Sequence, residues 1–163
     1  MNFGVIGGEI RVEDVDSYMN KLKEINGATQ LVQADVVAGE KHLKFAIKKA
    51  KQSFKENPIA NSLEMEILLY TIGTRQINKA IEKAGIRKGK NNVALIYSKK
   101  IDPNRLTKEI GLERKDSVLE LREEKFDRIK EVFDITQEEI TAVGEEKIPK
   151  LVREKIALLK LQK

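Results

Sequence analysis

His42 is the only histidine of the chain, and no cysteine accompanies it. Zinc sites built from thiolates or paired imidazoles therefore have no ligand set. Disulfides and thiolate nucleophiles are excluded with them. A Ser–His pair stays formally open, but no G-x-S-x-G stretch marks a nucleophile. Gly85-Ile86-Arg87-Lys88-Gly89-Lys90 comes nearest to a phosphate loop. It is one residue short of G-x-x-x-x-G-K, and Asn91 stands where a metal-binding Ser or Thr is required. It also follows a helical pattern and precedes a strand, the reverse of the order that aims backbone N–H groups at phosphate. It reads as a basic turn. Glu64 and Glu66, two apart on a helical stretch, face different directions and cannot converge. The expectation is a protein that is not an enzyme, with no catalytic residue, no metal and no cofactor.

Binding chemistry is better represented. On a helix over residues 40–55, Leu43, Ala46, Ile47, Ala50 and Phe54 share one apolar face. Lys41, Lys44, Lys48, Lys51 and Lys55 line another at spacings of three and four. Five ammonium groups on one face repel one another, and a phosphate backbone relieves that repulsion while releasing counterions. The alternative is a solvated face. Phe45 falls beside the stripe, where it can stack on a base, meet a partner or pack under a loop. After Gly73 a second helix turns Ile77, Ala80, Ile81 and Ala84 inward and leaves Arg75, Lys79 and Lys83 as a basic edge. Arg75 and Gln76 are expected in its first turn, where free N–H groups favour an anion. A C-terminal helix from about Pro149 to the end carries Ile148, Leu151, Val152, Ile156 and Leu159 on one face. Leu158 and Leu161 widen that stripe beyond what one packing surface needs.

These faces need a scaffold. Phe3–Gly7, Gln30–Ala34 and Val93–Tyr97 read as strands, the last as a buried one. Val15, Tyr18, Met19, Leu22 and Ile25 recur with helical period, stopped by Asn26-Gly27. The helix over 40–55 ends at Asn57-Pro58, the next fills 61–72, and Thr74 caps the one that ends at Gly85. Asp102-Pro103 starts a helix that Gly111 stops. Val118–Leu121 is a strand or a helix lead-in. Phe126, Ile129, Val132 and Phe133 mark another helix, and Thr136 with Glu139 forms a capping box for a short one. The predicted fold class is α/β, one domain over residues 1–163 with a small mixed sheet packed by several helices.

Charge is unevenly spread over a net of +5. Residues 1–38 hold three Lys/Arg against six Asp/Glu, residues 39–100 fourteen against five, and residues 101–163 fourteen against fifteen. The basic middle suggests a surface facing a polyanion. Lys and Glu enrichment fits an archaeal or thermophilic source. No apolar run is long enough to span a membrane, and the N-terminus lacks the layout of a signal peptide, so a cytoplasmic protein is expected.

Three ordered blocks carry a resemblance. Gln33-Ala34-Asp35-Val36-Val37-Ala38-Gly39 is followed by His42 and Ala46. Pro58-Ile59-Ala60-Asn61-Ser62 leads into Met65-Glu66-Ile67-Leu68. Gly73-Thr74-Arg75-Gln76-Ile77 precedes Ala80-Ile81 and Gly85, and the chain closes with Glu154-Lys155-Ile156-Ala157-Leu158. The chain resembles the archaeal PRPK-binding (TPRKB-like) subunit of the KEOPS tRNA-modification complex, over nearly its whole length but loosely across 98–145. The resemblance implies a non-catalytic regulatory subunit of a complex that makes threonylcarbamoyladenosine beside the anticodon. It implies direct binding of the small atypical kinase, indirect association with the ATPase-fold catalytic subunit, and recruitment of tRNA through its 3′ CCA end. By position it points to Arg75, Gln76 and Ile77, with Asn61 and His42, as a tRNA-tail surface, to which the basic faces add Lys44, Lys48, Lys51 and Lys79. For kinase contact it favours Leu151, Leu158 and Leu161. A structural kinase adaptor that binds no RNA is the alternative.

Overall fold

A computed structural model describes residues 2–25 and 29–161, so the expected helix stop at Asn26-Gly27 lies outside the described residues. The elements run β1 (Phe3–Val12), α1 (Val15–Glu24), β2 (Thr29–Gln33), α2 (Glu40–Glu56), α3 (Leu63–Ile72) and α4 (Ile77–Ala84). They continue with β3 (Gly89–Ser98), α5 (Pro103–Ile110), β4 (Glu113–Arg114), α6 (Phe126–Phe133), α7 (Gln137–Val143) and α8 (Ile148–Ala157). Short 3₁₀ turns join several of them.

The four strands form one sheet in the order β2-β3-β1-β4. The α/β class stands, but every pairing is antiparallel, where a mixed sheet was expected. Strands separated by several helices leave direction open, because a multi-helix connection can return the chain to either end of the sheet. β3 pairs on both sides, Val93 with Gly8 of β1 and with Gln33 of β2. Its side chains alternate between two cores. Val93, Leu95 and Tyr97 pack with Ile6, Ile10, Leu22, Leu106 and Ile110 beneath α1 and α5. Ala94 and Ile96 pack with Leu43, Leu69, Ile129, Val152 and Ile156 beneath the larger helical layer. A strand covered on both faces reads as a continuous apolar run, which is why residues 93–97 stood out.

β1 carries glycines where neighbours come closest. A Cβ on Gly8 would lie 2.5 Å from the Glu113 carbonyl, and one on Gly4 would meet the Tyr97 ring at 2.5 Å. The close approach at Gly8 lets the two-residue β4 pair at the sheet edge. β4 itself was not foreseen, since Glu113-Arg114 has neither length nor apolar alternation.

α2 and α3 form an antiparallel hairpin against the sheet. α2 buries Leu43, Ala46, Ile47 and Ala50, and full burial of each large aliphatic side chain is worth about 1.5–3 kcal/mol. Asn57 ends it, and Ser62 caps α3 by accepting from the Met65 N–H at 3.2 Å. Gly73, at φ 76°, closes α3 in the left-handed region that favours glycine. Of residues 118–121, Val118 and Leu119 close a 3₁₀ turn over Asp116–Leu119, and Glu120 and Leu121 follow it outside any helix or strand. The Thr136–Glu139 capping box is present. α8 ends at Ala157, and a separate 3₁₀ turn over Leu159–Leu161 follows, short of the uninterrupted helix expected.

Candidate nucleic-acid and partner interface

Arg75 and Gln76 are not in a helical turn. The Thr74 hydroxyl accepts from the Gln76 N–H at 3.2 Å, which holds residues 74–76 as a local turn. α4 starts three residues after Thr74, with Gln76 at its N-cap position. A hydroxyl that bonds its own neighbouring backbone competes with the helix it was expected to cap. The result is a fixed, exposed loop bearing Arg75 and Gln76 just outside α4.

The phase of α4 also differs from expectation. Only Ala80 and Ala84 are buried, while Ile77 and Ile81 are 39% and 49% exposed. Two alanines let the helix lie close on the core, and that close seat turns the flanking isoleucines outward. Arg75, Gln76, Ile77 and Lys79 therefore share one exposed segment, with Ile77 and Ile81 as an apolar strip and Arg75 and Lys79 as cations beside it. Ile81 was missed as a surface residue. The signal was the Ala80–Ala84 pair, since small residues mark the close side of a helix. Lys83 is not part of the free edge, because its ammonium donates to the Val132 carbonyl at 3.4 Å.

His42 does not reach this surface. It is fully buried, its Nδ1 accepts from the Ala38 N–H at 3.0 Å, and its Nε2 lies 2.8 Å from the Thr71 carbonyl. The first bond fixes the tautomer, so Nε2 carries the hydrogen and donates it. Burial pushes its pKa down to about 4. The imidazole is a neutral pin between the start of α2 and the end of α3, and it has no free nitrogen for RNA. Its edge also meets the Phe133 ring, with centroids 5.4 Å apart.

Asn61 is exposed but distant. It precedes α3 and Arg75 follows it, and the 10 residues of α3 span about 15 Å. The loop that bears Asn61 is held by Glu66, a fully buried carboxylate. Glu66 accepts from the Ser53 hydroxyl at 2.6 Å, the Ala60 N–H at 2.7 Å and the Ile59 N–H at 3.0 Å. Three donors thus satisfy this buried carboxylate, which forms no ion pair among the described residues.

Lys44, Lys48 and Lys51 line a shallow groove with Asn2, Phe3, Ile47 and Lys99. No α4 residue lines it, so the stripe and the Arg75 segment are separate surfaces. Lys44 pairs with Glu40 at 3.2 Å. Phe45 is half-buried against the main core, with the Lys49 ammonium 5.6 Å from its ring centroid. It therefore packs where stacking on a base was one option.

At the C-terminus, Leu151 is 8% exposed and belongs to the core, which removes it from any partner surface. Its heptad neighbours Ile148, Val152 and Ile156 bury with it. Leu158 and Leu161 are 53% and 76% exposed. Lys160 between them pairs with Glu56 of α2 at 3.4 Å. That contact sets the two leucines at the same end of the α2–α3 hairpin as Asn61.

The family model for the kinase binding protein CGI-121 matches residues 11–160. The chain belongs to the CGI-121 family. A regulatory protein Cgi121 from Methanocaldococcus jannaschii is 39% identical over 144 residues, 88% of this chain and 91% of the relative. The CGI-121 match runs through residues 98–145, where the sequence blocks were weakest. Among the described residues no helix is long and apolar enough to cross a membrane, and no three His, Asp or Glu side chains converge as a metal site. For this CGI-121 family member the described residues thus offer exposed apolar pairs at Ile77 and Ile81 on α4 and at Leu158 and Leu161 near the C-terminus, a single exposed Val143 on α7, and several basic faces.

Proposed function

We propose that this chain is a non-catalytic regulatory subunit that binds a kinase and recruits tRNA through its 3′ end within a KEOPS complex. The observation that carries the RNA part is the exposed Arg75–Lys79 segment. It combines cations, an amide and an apolar strip, the mixture that suits an unpaired RNA end. The Thr74–Gln76 turn and Gly73 fix its backbone, so little ordering entropy is lost on binding. The family name and the exposed Leu158–Leu161 pair support the kinase part, as two large apolar side chains in solvent favour a partner's groove. The lysine groove around Lys44, Lys48 and Lys51 adds long-range attraction for the rest of a tRNA.

A titration of full-length tRNA against tRNA lacking CCA, at two salt concentrations, tests the reading. Weaker binding on trimming supports tail recognition, and binding indifferent to trimming removes it. The structural adaptor that binds kinase alone predicts no saturable tRNA binding at either salt. Reversing the charges of Lys44, Lys48 and Lys51 should then leave stimulation of the assembled complex intact.

A further inference from the structure

A second basic feature lies away from the Arg75 segment and from the lysine groove. The turn between α4 and β3 and the segment between β4 and α6 wall a cavity of about 460 Å³. Arg87, Lys88, Lys90, Lys115, Arg122 and Lys125 line it, against only Asp35 and Glu124. Two of the six are already engaged, Lys90 with Glu9 at 3.3 Å and Arg122 with Glu120 at 3.1 Å. Arg87, Lys88, Lys115 and Lys125 form no ion pair among the described residues.

The cavity is built and not merely a gap between surface lysines. Asn91 is buried at its floor with its amide fully used. Its Oδ1 accepts from Gln33 Nε2 at 2.6 Å and from the Arg87 N–H at 2.9 Å. Its Nδ2 donates to the Arg87 and Gly89 carbonyls at 2.8 and 3.0 Å. Gly89, at φ 98°, takes the backbone conformation the turn requires. On the opposite wall Lys125 is buried, and its ammonium donates to the Val37 and Val118 carbonyls at 3.1 and 2.7 Å. An ammonium has three donors, so one remains beyond these two carbonyls. Burial pushes this lysine down to about 8, although the nearby carboxylates of Asp35, Glu124 and Glu120 favour its charged form.

We propose that this cavity binds a ligand carrying two or more phosphates, held by Arg87, Lys88, Lys115 and the remaining donor of Lys125. Its volume is in the range of small-ligand sites, and several unpaired cations spread over two walls match several anionic groups better than one. The lining contains no aromatic residue, so the ligand is gripped by its phosphates and not by a stacked base. The cations come from stretches about thirty residues apart in sequence, which is why the basic turn alone carried no meaning before folding. A free polyphosphate and successive phosphates of an RNA backbone present the same chemistry.

Tripolyphosphate titrated calorimetrically into the full chain tests this. The Arg87→Ala/Lys88→Ala/Lys115→Ala variant removes three exposed cations from the cavity and no structural hydrogen bond of their side chains. Lys21→Ala/Lys108→Ala/Lys150→Ala removes the same charge from exposed positions elsewhere. Saturable binding that weakens tenfold or more in the first variant and less than threefold in the second is expected. Amide shifts confined to the Arg87–Lys90 and Ser117–Val118 backbone should accompany it. Displacement of tripolyphosphate by an oligouridylate lacking a CCA end supports an RNA backbone as the occupant, and failure to displace supports a free polyphosphate. No saturable binding, or equal weakening in both variants, overturns the site. The probe has no CCA end, so failure here leaves tail recognition at Arg75 untouched.

Discussion

His42 Nε2–H donates to the Thr71 carbonyl across 2.8 Å and joins the first turn of α2 to the last turn of α3. Thr71 lies two residues before the Gly73 cap, where helix carbonyls lack intrahelical partners. At the other end of the same hairpin, the Ser53 hydroxyl donates to Glu66 at 2.6 Å. Two buried polar contacts thus set the register of α2 on α3, and each stands behind one exposed loop. His42 backs the loop that bears Arg75, and Glu66 backs the loop that bears Asn61.

The His42 pin makes stability depend on acid. Its pKa is near 6.5 when unfolded and about 4 in the fold. Its contribution is therefore complete above pH 6.5 and lost as pH falls through 4, because the unfolded chain binds the proton first. About 2 kcal/mol should disappear between pH 7.5 and pH 5 from this residue alone. Urea denaturation at both pH values, for the native chain and for His42→Gln, measures it. The variant should start less stable at pH 7.5 and show the shallower pH dependence. Equal slopes would show that the imidazole titrates at the same pH in the fold as in the unfolded chain.

Glu66 should separate shape from charge. Glu66→Ala strands the Ser53 hydroxyl and the Ile59 and Ala60 N–H groups in a cavity, at a cost of about 3 kcal/mol or more. Glu66→Gln keeps one acceptor oxygen for the two backbone donors, and Ser53 can rotate to accept from the new amide. The milder loss, about 1–2 kcal/mol, should be visible as the smaller drop in thermal midpoint. A glutamine as damaging as alanine would mean that the negative charge itself organises the Asn57–Asn61 loop.

The sequence made the scaffold legible wherever one periodicity dominated. Val93–Tyr97, the Asp102–Gly111 helix and the Thr136 capping box came through because alternation, Pro at the first helical position and paired caps are local signals. Most of α2 came through for the same reason. His42, which the resemblance placed on the tRNA-tail surface, proved to be a fully buried core pin, since its place at the edge of an apolar face does not show which way the imidazole packs. Thr74 was misread because a hydroxyl before a helix can cap it or make its own turn. Ile77 and Ile81 reversed their side because packing distance is set by Ala80 and Ala84. The Arg87–Lys125 cavity was out of reach, as its walls come from stretches about thirty residues apart in sequence that meet only in the fold.

For the Arg75 segment, Arg75→Glu and Ile77→Glu should each weaken tRNA binding tenfold or more while leaving the thermal midpoint within about 1–2 °C. Both side chains are exposed, and substitutions at such positions usually change stability by no more than about 0.5 kcal/mol. The difference between full-length and CCA-trimmed tRNA should shrink in both variants. Arg75→Glu should also reduce the salt dependence of binding, since it removes a phosphate contact. Ile77→Glu, which acts through the apolar strip, should do so less. Unchanged discrimination of the trimmed tRNA in both variants would move the tail surface elsewhere.

The three C-terminal leucines should divide in two. Leu151→Asp places a carboxylate in the main core beside Ile148 and Val152, so the chain should lose about 3 kcal/mol or more and fail in every assay alike. Leu158→Asp and Leu161→Asp alter side chains that already face solvent, and the fold and tRNA binding should survive them. If they form the kinase-docking feature, the double variant should lose pulldown by the cognate kinase and fail to stimulate the assembled complex. The converse control is Ile81→Asp on α4, which should spare kinase binding. Loss of kinase binding with Ile81→Asp and its retention in the leucine double variant would place the kinase on α4, and the RNA tail would then have to share that edge or leave it.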